Sequence, residues 1–277
     1  MYFRQIADWS DAYTNGAHIA GGERWPAAWV EPAARFRETL AAAGRARLDL
    51  AYGSNPRQRY DLFLPEARPR GLAVFIHGGY WKAFDKSYWS HLAHGAIARG
   101  HAVALPSYRL CPEVRIGDIA NDIAAAIAAV AGEIAGPLFL TGHSAGGHLA
   151  TRMLSQPSPL SVELLGRVRR VVSISGVHDL RPLMKTAMNA DLRIDAAEAR
   201  AESPALLEPV TGTRLVAWVG GAERSEFIRQ AELLANVWAG LGAATALVVE
   251  PDRHHFSVID GLTDPAHPLV EALLGES

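Results

Sequence analysis

A serine within residues 138–150 has the neighbours that a catalytic nucleophile needs. Ser144 lies in Gly142-His-Ser-Ala-Gly146, between a buried apolar run and a segment of small residues that favours a helix. Flanking glycines permit a tight turn from strand to helix, which exposes the serine hydroxyl at the end of a sheet. The amides at the start of that helix, from Ala145 on, would face an oxyanion formed beside the serine. The pattern therefore predicts a nucleophilic serine.

This serine requires a general base, because a hydroxyl is a weak nucleophile at its own pKa. In proteins with this strand-turn-helix pattern, an acid and then a histidine follow the serine along the chain. His254 and His255 come directly after the last predicted strand, at the sheet end where a base could reach Ser144. One of these two histidines is the predicted base.

The acid that orients the histidine has three candidates. Glu223 and Glu226 follow the seventh predicted strand, and Asp179 follows the sixth. Glu226 falls in the first turn of the next predicted helix, where the helix dipole alone favours a carboxylate. No such structural reason applies to Glu223. Glu223 is therefore the preferred acid, and Glu226 and Asp179 are the alternatives.

The loop after the third predicted strand has the composition of an oxyanion hole. It reads His77-Gly-Gly-Tyr-Trp81, and two adjacent glycines allow the backbone to approach a substrate and turn its amides toward the serine. Gly78, Gly79 and Tyr80 are predicted to form this hole together with the amide of Ala145. The glycines alone would also fit a plain tight turn, but this loop and the serine turn each follow their expected strand.

Hydrophobic patterning predicts the elements that position these groups. Two alternating segments with a turn between them indicate an antiparallel hairpin, and the later strands are continuous apolar runs separated by helices. Such runs indicate a mostly parallel sheet flanked by helices. The predicted strands are residues 48–52, 59–65, 72–77, 101–106, 138–141, 168–175, 215–219 and 244–250, and the predicted helices are residues 31–43, 87–99, 116–134, 145–155, 226–241 and 265–274. Eight strands with the antiparallel pair first are typical of the α/β-hydrolase fold.

A single domain spanning residues 1–277 is expected, with two additions to the sheet. Residues 1–45 are predicted to form an N-terminal arm, over residues 1–30, and the first helix. Residues 179–213 are the longest segment without strand character and lie between the sixth and seventh strands. They are predicted to form a small cap over the carboxyl ends of the strands, where such sheets bind ligands.

The composition excludes several classes of protein. The chain has 49% hydrophobic and 20% charged residues with a net charge of −2, and its arginines are dispersed, which indicates solvated surface and no nucleic-acid partner. The single cysteine, Cys111, excludes an internal disulfide. No signal segment and no 18-residue apolar run is present, so a cytoplasmic location without a membrane partner is expected. Nucleotide-binding and metal-ligand motifs are missing, so no cofactor and no metal is predicted.

The sequence resembles the arylformamidase (kynurenine formamidase) branch of the α/β-hydrolases, close to the hormone-sensitive-lipase-like esterases. The matching segments, within residues 48–275, are His77-Gly-Gly-Tyr-Trp81, Ser107-Tyr-Arg-Leu-Cys-Pro112, Gly142-His-Ser-Ala-Gly146, Glu226-Phe-Ile-Arg-Gln230 and His255-Phe256. The His-Phe step of this family implies His255, and not His254, as the base. Glu223 is a departure, since relatives usually carry aspartate at the aligned position.

The resemblance implies a serine hydrolase acting on an aryl formamide such as N-formylkynurenine, with a short-chain carboxylesterase as the alternative. Tyr80 and Trp81 add bulk beside the predicted oxyanion hole, which favours a formyl or acetyl group. Trp81, Tyr108 and His143 are predicted to line the substrate pocket. A hypothesis from another class is a binding module that keeps the fold without turnover. The expected partner is a small acyl substrate, and a homodimer is an open alternative for the assembly.

Overall fold

One sheet of eight strands organises the chain, of which the computed structural model describes residues 5–275. The strands are β1 (Ala46–Ala51), β2 (Arg59–Phe63), β3 (Leu72–Ile76), β4 (Ala102–Pro106), β5 (Leu138–His143), β6 (Val168–Ile174), β7 (Arg214–Gly220) and β8 (Ala244–Glu250). Their order is β1-β2-β4-β3-β5-β6-β7-β8. β2 is antiparallel to β1 and β4, and the other neighbouring pairs are parallel. The predicted α/β-hydrolase fold is confirmed.

Helices connect the strands. They are α1 (Trp9–Ala12), α2 (Trp25–Ala42), α3 (His94–Ala98), α4 (Ile116–Glu133), α5 (Ala145–Arg152), α6 (Val162–Arg167), α7 (Asn189–Leu192), α8 (Ala196–Ala201), α9 (Ser225–Gly240) and α10 (Pro268–Leu274). Short 3-10 turns lie at Gly16–His18, Gly22–Arg24, Lys86–Tyr88, Ser90–Ala93, Arg181–Lys185, Pro204–Leu206 and Asp260–Thr263. Between residues 5 and 275, no helix is long and apolar enough to cross a membrane.

Both faces of the sheet are buried, and β3 shows how the sequence achieves this. Leu72, Val74 and Ile76 join one core with residues of α4, α5 and α9. The intervening Ala73 and Phe75 join a second core with residues of α2, α3 and α10. Successive strand residues point to opposite faces, so a strand covered on both sides needs an apolar side chain at each position.

Two predicted helices differ from the observed ones. The predicted arm is wrong from Trp25 onward, because α2 already begins there, with Pro26 in its first turn and Pro32 inside it. A proline in the first turn removes no helical hydrogen bond, because an N–H at that position has no partner within the helix. Pro32 is disfavoured inside a helix and typical of a helix start, so the sequence places the start beside Pro32 instead of at Trp25. The predicted helix over residues 87–99 is broken into two 3-10 turns and α3, with Trp89 in a non-helical conformation between the turns.

The arm and the segment between β6 and β7 meet at the carboxyl edge of the sheet. Residues 1–4 of the predicted arm lie outside the described residues. The Ser10 hydroxyl oxygen accepts a hydrogen bond from the Ala187 amide at 2.9 Å. Lys82, in the loop after β3, pairs with Asp191 of α7 at 2.6 Å. The segment predicted as a cap contains α7 and α8, and these contacts connect it to the arm and to the loop after β3.

Three histidines are buried completely enough to stay neutral. Burial penalises the imidazolium and lowers the pKa of His77 and of His148 to about 4 and that of His178 to about 3, from an ordinary value of 6.5. Between about pH 6.5 and 4, the unfolded chain therefore binds more protons than the folded chain. The contribution of these three histidines to the free energy of unfolding therefore falls as the pH falls through this window.

Replacing His178 with glutamine should weaken this pH dependence. The variant loses one group that titrates only after unfolding, so its free energy of unfolding should fall by roughly 2 kcal/mol less than that of the wild type between pH 7 and pH 5. Urea unfolding at both pH values measures the difference. Equal pH dependence in the two proteins would contradict a buried, neutral His178.

Candidate active site

The chain turns from β5 into α5 at a single residue, Ser144. Its backbone has φ 55° and ψ −117°, a conformation that side-chain-bearing residues rarely adopt. A Cβ on Gly146 would lie 1.9 Å from the Ile76 carbonyl oxygen, and a Cβ on Gly142 would lie 2.3 Å from the Gly146 carbonyl oxygen. The turn thus requires glycine at both positions, and it puts Ser144 at the carboxyl end of the sheet, directly before the amides of α5.

The structure brings His255 and Glu223 together. The distance between His255 Nδ1 and Glu223 Oε2 is 2.6 Å, and the two side chains are 4% and 0% exposed. Glu223 Oε1 accepts hydrogen bonds from the Gly220 amide, at 2.8 Å, and from the Ser175 hydroxyl. A carboxylate can only accept a hydrogen bond, so Nδ1 of His255 carries the proton in this contact. Nε2 is then the ring nitrogen that can accept a proton.

The two alternative acids are paired with arginines. Asp179 accepts from the Arg181 guanidinium at 2.8 and 2.9 Å. Glu226 accepts from Arg229 at 2.7 Å and from the Tyr13 hydroxyl at 3.1 Å. Both carboxylates therefore belong to ion pairs separate from His255.

His254 has a local structural role. Its Nδ1 accepts from the backbone amides of Phe256 and Ser257, each at 3.2 Å, and its ring lies edge-on to Trp25 at 5.1 Å. Since Nδ1 accepts from two amides, His254 stabilises the turn that carries the neighbouring His255.

His143 links the serine turn to the loop of the predicted base. Its Nε2 donates to the His255 carbonyl oxygen at 2.8 Å, and the two rings are 4.6 Å apart. Burial, together with the nearby His255, lowers the pKa of His143 well below its ordinary value. His143 is therefore neutral, with its proton on Nε2, and it anchors the His255 backbone next to Ser144.

The predicted oxyanion loop has an unusual backbone. Gly79, Tyr80 and Trp81 have φ values of 108°, 49° and 55°. Three successive residues with positive φ turn the chain sharply, and the amides of residues 82 and 83 both donate to the Gly79 carbonyl oxygen. A Cβ on Gly78 would lie 3.2 Å from the Ser144 Cβ, so this loop contacts the serine directly.

Stacked aromatic rings pack against the start of this loop. The His77 ring stacks on Tyr108 at 4.2 Å and on Trp89 at 5.7 Å. The Tyr108 hydroxyl donates to the His77 carbonyl oxygen at 2.9 Å. Of the residues predicted to line the pocket, Trp81 and Tyr108 are fully buried and His143 is 4% exposed. In this structure the three side chains pack around the site, and their role in lining a substrate pocket stays a prediction.

Two further residues, Ser175 and Gln230, hold loops of the site, and their contacts are not apparent from the sequence. Ser175, which has a φ of 52°, binds the Glu223 carboxylate. Gln230 accepts from the amides of His178 and Asp179, both at 2.7 Å, and donates to the Tyr13 hydroxyl at 2.8 Å. The only sequence signal for Ser175 is its place at the carboxyl end of an apolar strand, where a polar residue faces the same edge as the serine turn.

Comparison with known proteins identifies the family. The sequence profile of the alpha/beta hydrolase family matches residues 73–275. The chain is 28% identical to kynurenine formamidase of Salmo salar, over 85% of this chain and 84% of that protein, and 26% identical to kynurenine formamidase of Danio rerio, over 86% and 84%. The crystal structure of a provisionally assigned thioesterase from Silicibacter sp. TM1040 is 50% identical and covers 95% of this chain and 98% of its own, with a TM-score of 0.90.

This chain belongs to the alpha/beta hydrolase family, and it is a hydrolase. Within that family it is similar to the kynurenine formamidases, as the motifs around residues 77–81 and 142–146 predict. A serine at a strand-to-helix turn, with a histidine–carboxylate pair held beside it through His143, is a set of residues typical of acyl transfer. Within residues 5–275, histidine, cysteine, aspartate and glutamate form no group of three that could hold a metal ion.

Replacing Glu223 with glutamine should lower kcat by roughly 10⁴-fold, because the amide no longer fixes the His255 tautomer or stabilises its imidazolium. Asp179→Asn is the matched control, since it makes the same chemical change at the alternative acid, and should change kcat by less than about tenfold. Steady-state kinetics on any hydrolysed ester measure both. A larger loss in Asp179→Asn than in Glu223→Gln would reverse the assignment of the acid.

Proposed function

We propose that this hydrolase is a metal-independent serine enzyme that removes a small acyl group through Ser144, His255 and Glu223. The observation that carries the proposal is the buried 2.6 Å contact between His255 Nδ1 and Glu223 Oε2, held beside the Ser144 turn by His143. The favoured substrate is an aryl formamide such as N-formylkynurenine. The similarity to the kynurenine formamidases along most of the chain supports this substrate class.

The proposed reaction follows from these positions. Ser144 Oγ attacks the formyl carbon while His255 Nε2 takes the hydroxyl proton, and Glu223 stabilises the imidazolium. The amides of the loop after β3 and of Ala145 stabilise the oxyanion, and each such donor contributes about 3 kcal/mol to the transition state. His255 then protonates the departing aryl amine. Water, deprotonated by the same histidine, attacks the formyl-serine and releases formate.

Two aromatic side chains of the oxyanion loop support a small acyl group. The Trp81 ring is fully buried and lies edge-on to His148 at 5.0 Å. The Tyr80 hydroxyl donates to the Tyr13 carbonyl oxygen. Because both side chains are fixed by internal contacts, they restrict the space for a long acyl chain.

A short-chain ester or thioester is the second candidate substrate. The observation that favours it is the 50% identity to a provisionally assigned thioesterase along nearly the whole chain. The same nucleophile, base and oxyanion hole would serve this reaction. The leaving oxygen or sulfur departs more readily than an aryl amine, so it depends less on protonation by His255.

The ratio of kcat/KM for N-formylkynurenine to that for p-nitrophenyl acetate tests the substrate. A formamidase should prefer the formamide by at least about tenfold. Ser144→Ala should lower kcat for both substrates by roughly 10⁶-fold, with an unchanged circular dichroism spectrum.

A preference for the ester would replace the formamidase proposal with a small-acyl esterase. A folded Ser144→Ala protein that kept its activity would contradict the whole mechanism. A fluorophosphonate probe should label the wild type but not Ser144→Ala, and a lack of labelling in the wild type would indicate a binding module without turnover.

A further inference from the structure

A cavity of about 390 Å³ lies beside the proposed base. Asn15, His18 and Ile19 of the arm line one side, and residues 222–225 with His255 line the other. In a serine hydrolase the histidine returns its proton to the leaving group, so the leaving group must lie on the histidine side of the nucleophile. The cavity reaches His255, the residue that meets the leaving atom in this mechanism.

Asn15, one of the lining residues, has an unusual buried polar atom. The residue is 7% exposed, and its Oδ1 is buried without a hydrogen-bond partner among residues 5–275. Asn15 directly precedes the 3-10 turn Gly16–His18, a position where asparagine commonly caps backbone amides, yet its side chain makes no capping bond. Because a buried acceptor without a donor destabilises the folded state, the local structure gives no reason for this side chain.

Arg224, another lining residue, has a buried donor with no partner in the described part of the chain. Its two terminal nitrogens bind the arm: one donates to Asp11 Oδ2 and the other to His18 Nδ1 at 3.4 Å. His18 Nε2 in turn donates to Asp11 Oδ1 at 2.6 Å, which closes a network of three side chains and fixes the guanidinium. The Nε–H of Arg224 is buried without a partner in the described part of the chain.

We propose that Asn15 and Arg224 form a leaving-group subsite that selects amides over esters and thioesters. An amide nitrogen carries a hydrogen that Asn15 Oδ1 can accept, whereas an ester oxygen or thioester sulfur offers only lone pairs, which the same atom repels. Arg224 Nε donates to an acceptor on the aryl group, such as a carbonyl next to the nitrogen. This inference rests on the proposed function, because it takes His255 as the group that protonates the leaving atom.

Formanilide and phenyl formate test the subsite, since they share the acyl and aryl groups and differ only in N–H against O. Asn15→Leu keeps the side-chain size and removes the acceptor, so the ratio of kcat/KM for formanilide to that for phenyl formate should fall about tenfold or more. Asn15→Asp retains an acceptor and should keep the ratio within about threefold. Asn236→Leu makes the same change as Asn15→Leu on an exposed face of α9 and should leave the ratio unchanged.

Each outcome distinguishes the subsite from the proposed function. An unchanged ratio in Asn15→Leu, or an equal loss on both substrates, would overturn the subsite and leave the formamidase proposal intact. A wild type that hydrolyses phenyl formate but not formanilide would overturn the formamidase proposal before any variant is compared. Asn15→Leu should melt at or above the wild-type temperature, because no hydrogen bond to Oδ1 is lost. If it does not fold, Asn15→Ala gives the same ratio test.

Discussion

The close approach of the carboxyl ends of β3 and β5 is the constraint on which the site depends. The Ile76 carbonyl oxygen occupies the space that a Cβ on Gly146 would need, and the His143 carbonyl oxygen lies 2.9 Å from where a Cβ on Gly78 would be. The oxyanion loop and the serine turn can therefore touch only while both strands end in glycine-rich turns. His143 extends this contact to the His255 loop. Loss of these glycines would separate the nucleophile from the groups that act on it.

The sequence predicts the strands well, because they are buried on both faces. It predicts less well those elements whose conformation depends on tertiary packing. Continuous apolar runs identify the strands because both faces of the sheet are covered, as the two cores on either side of β3 show. The start of α2 is missed because the aromatic residues before Pro32 owe their helical conformation to tertiary contacts, such as the packing of Trp29 on Trp89 at 5.2 Å. The arginines, which are dispersed in the sequence, are also brought together by folding. Residues 70, 99, 169, 170 and 214 line one cavity, although no sequence pattern joins them.

The candidate site, like the fold, is predictable from the sequence only in part. Ser144 and the two histidines after β8 are identifiable from spacing and chain order, because the turn that exposes a serine has a strict glycine requirement. The choice among the acids depends on which carboxylate reaches His255, 32 residues from Glu223 along the chain, and that contact exists only in the folded chain. The pairs of Asp179 with Arg181 and of Glu226 with Arg229 are local. Ser175, whose hydroxyl donates to Glu223, is 48 residues away from it along the chain, so a local pattern does not predict this contact.

The glutamate at position 223 also follows from geometry. The β7 turn lies so close to the His255 loop that a Cβ on Gly220 would be 2.1 Å from the Arg253 carbonyl oxygen and 3.2 Å from the Glu223 Cγ. In this tight turn Glu223 Oε1 is held by the Gly220 amide and the Ser175 hydroxyl, while Oε2 reaches His255. An aspartate at the same Cα would be one methylene shorter and could not make all three contacts without a shift of the backbone. The longer side chain of Glu223 therefore fits this turn, which gives a physical reason for the departure from the aspartate that the family resemblance implies.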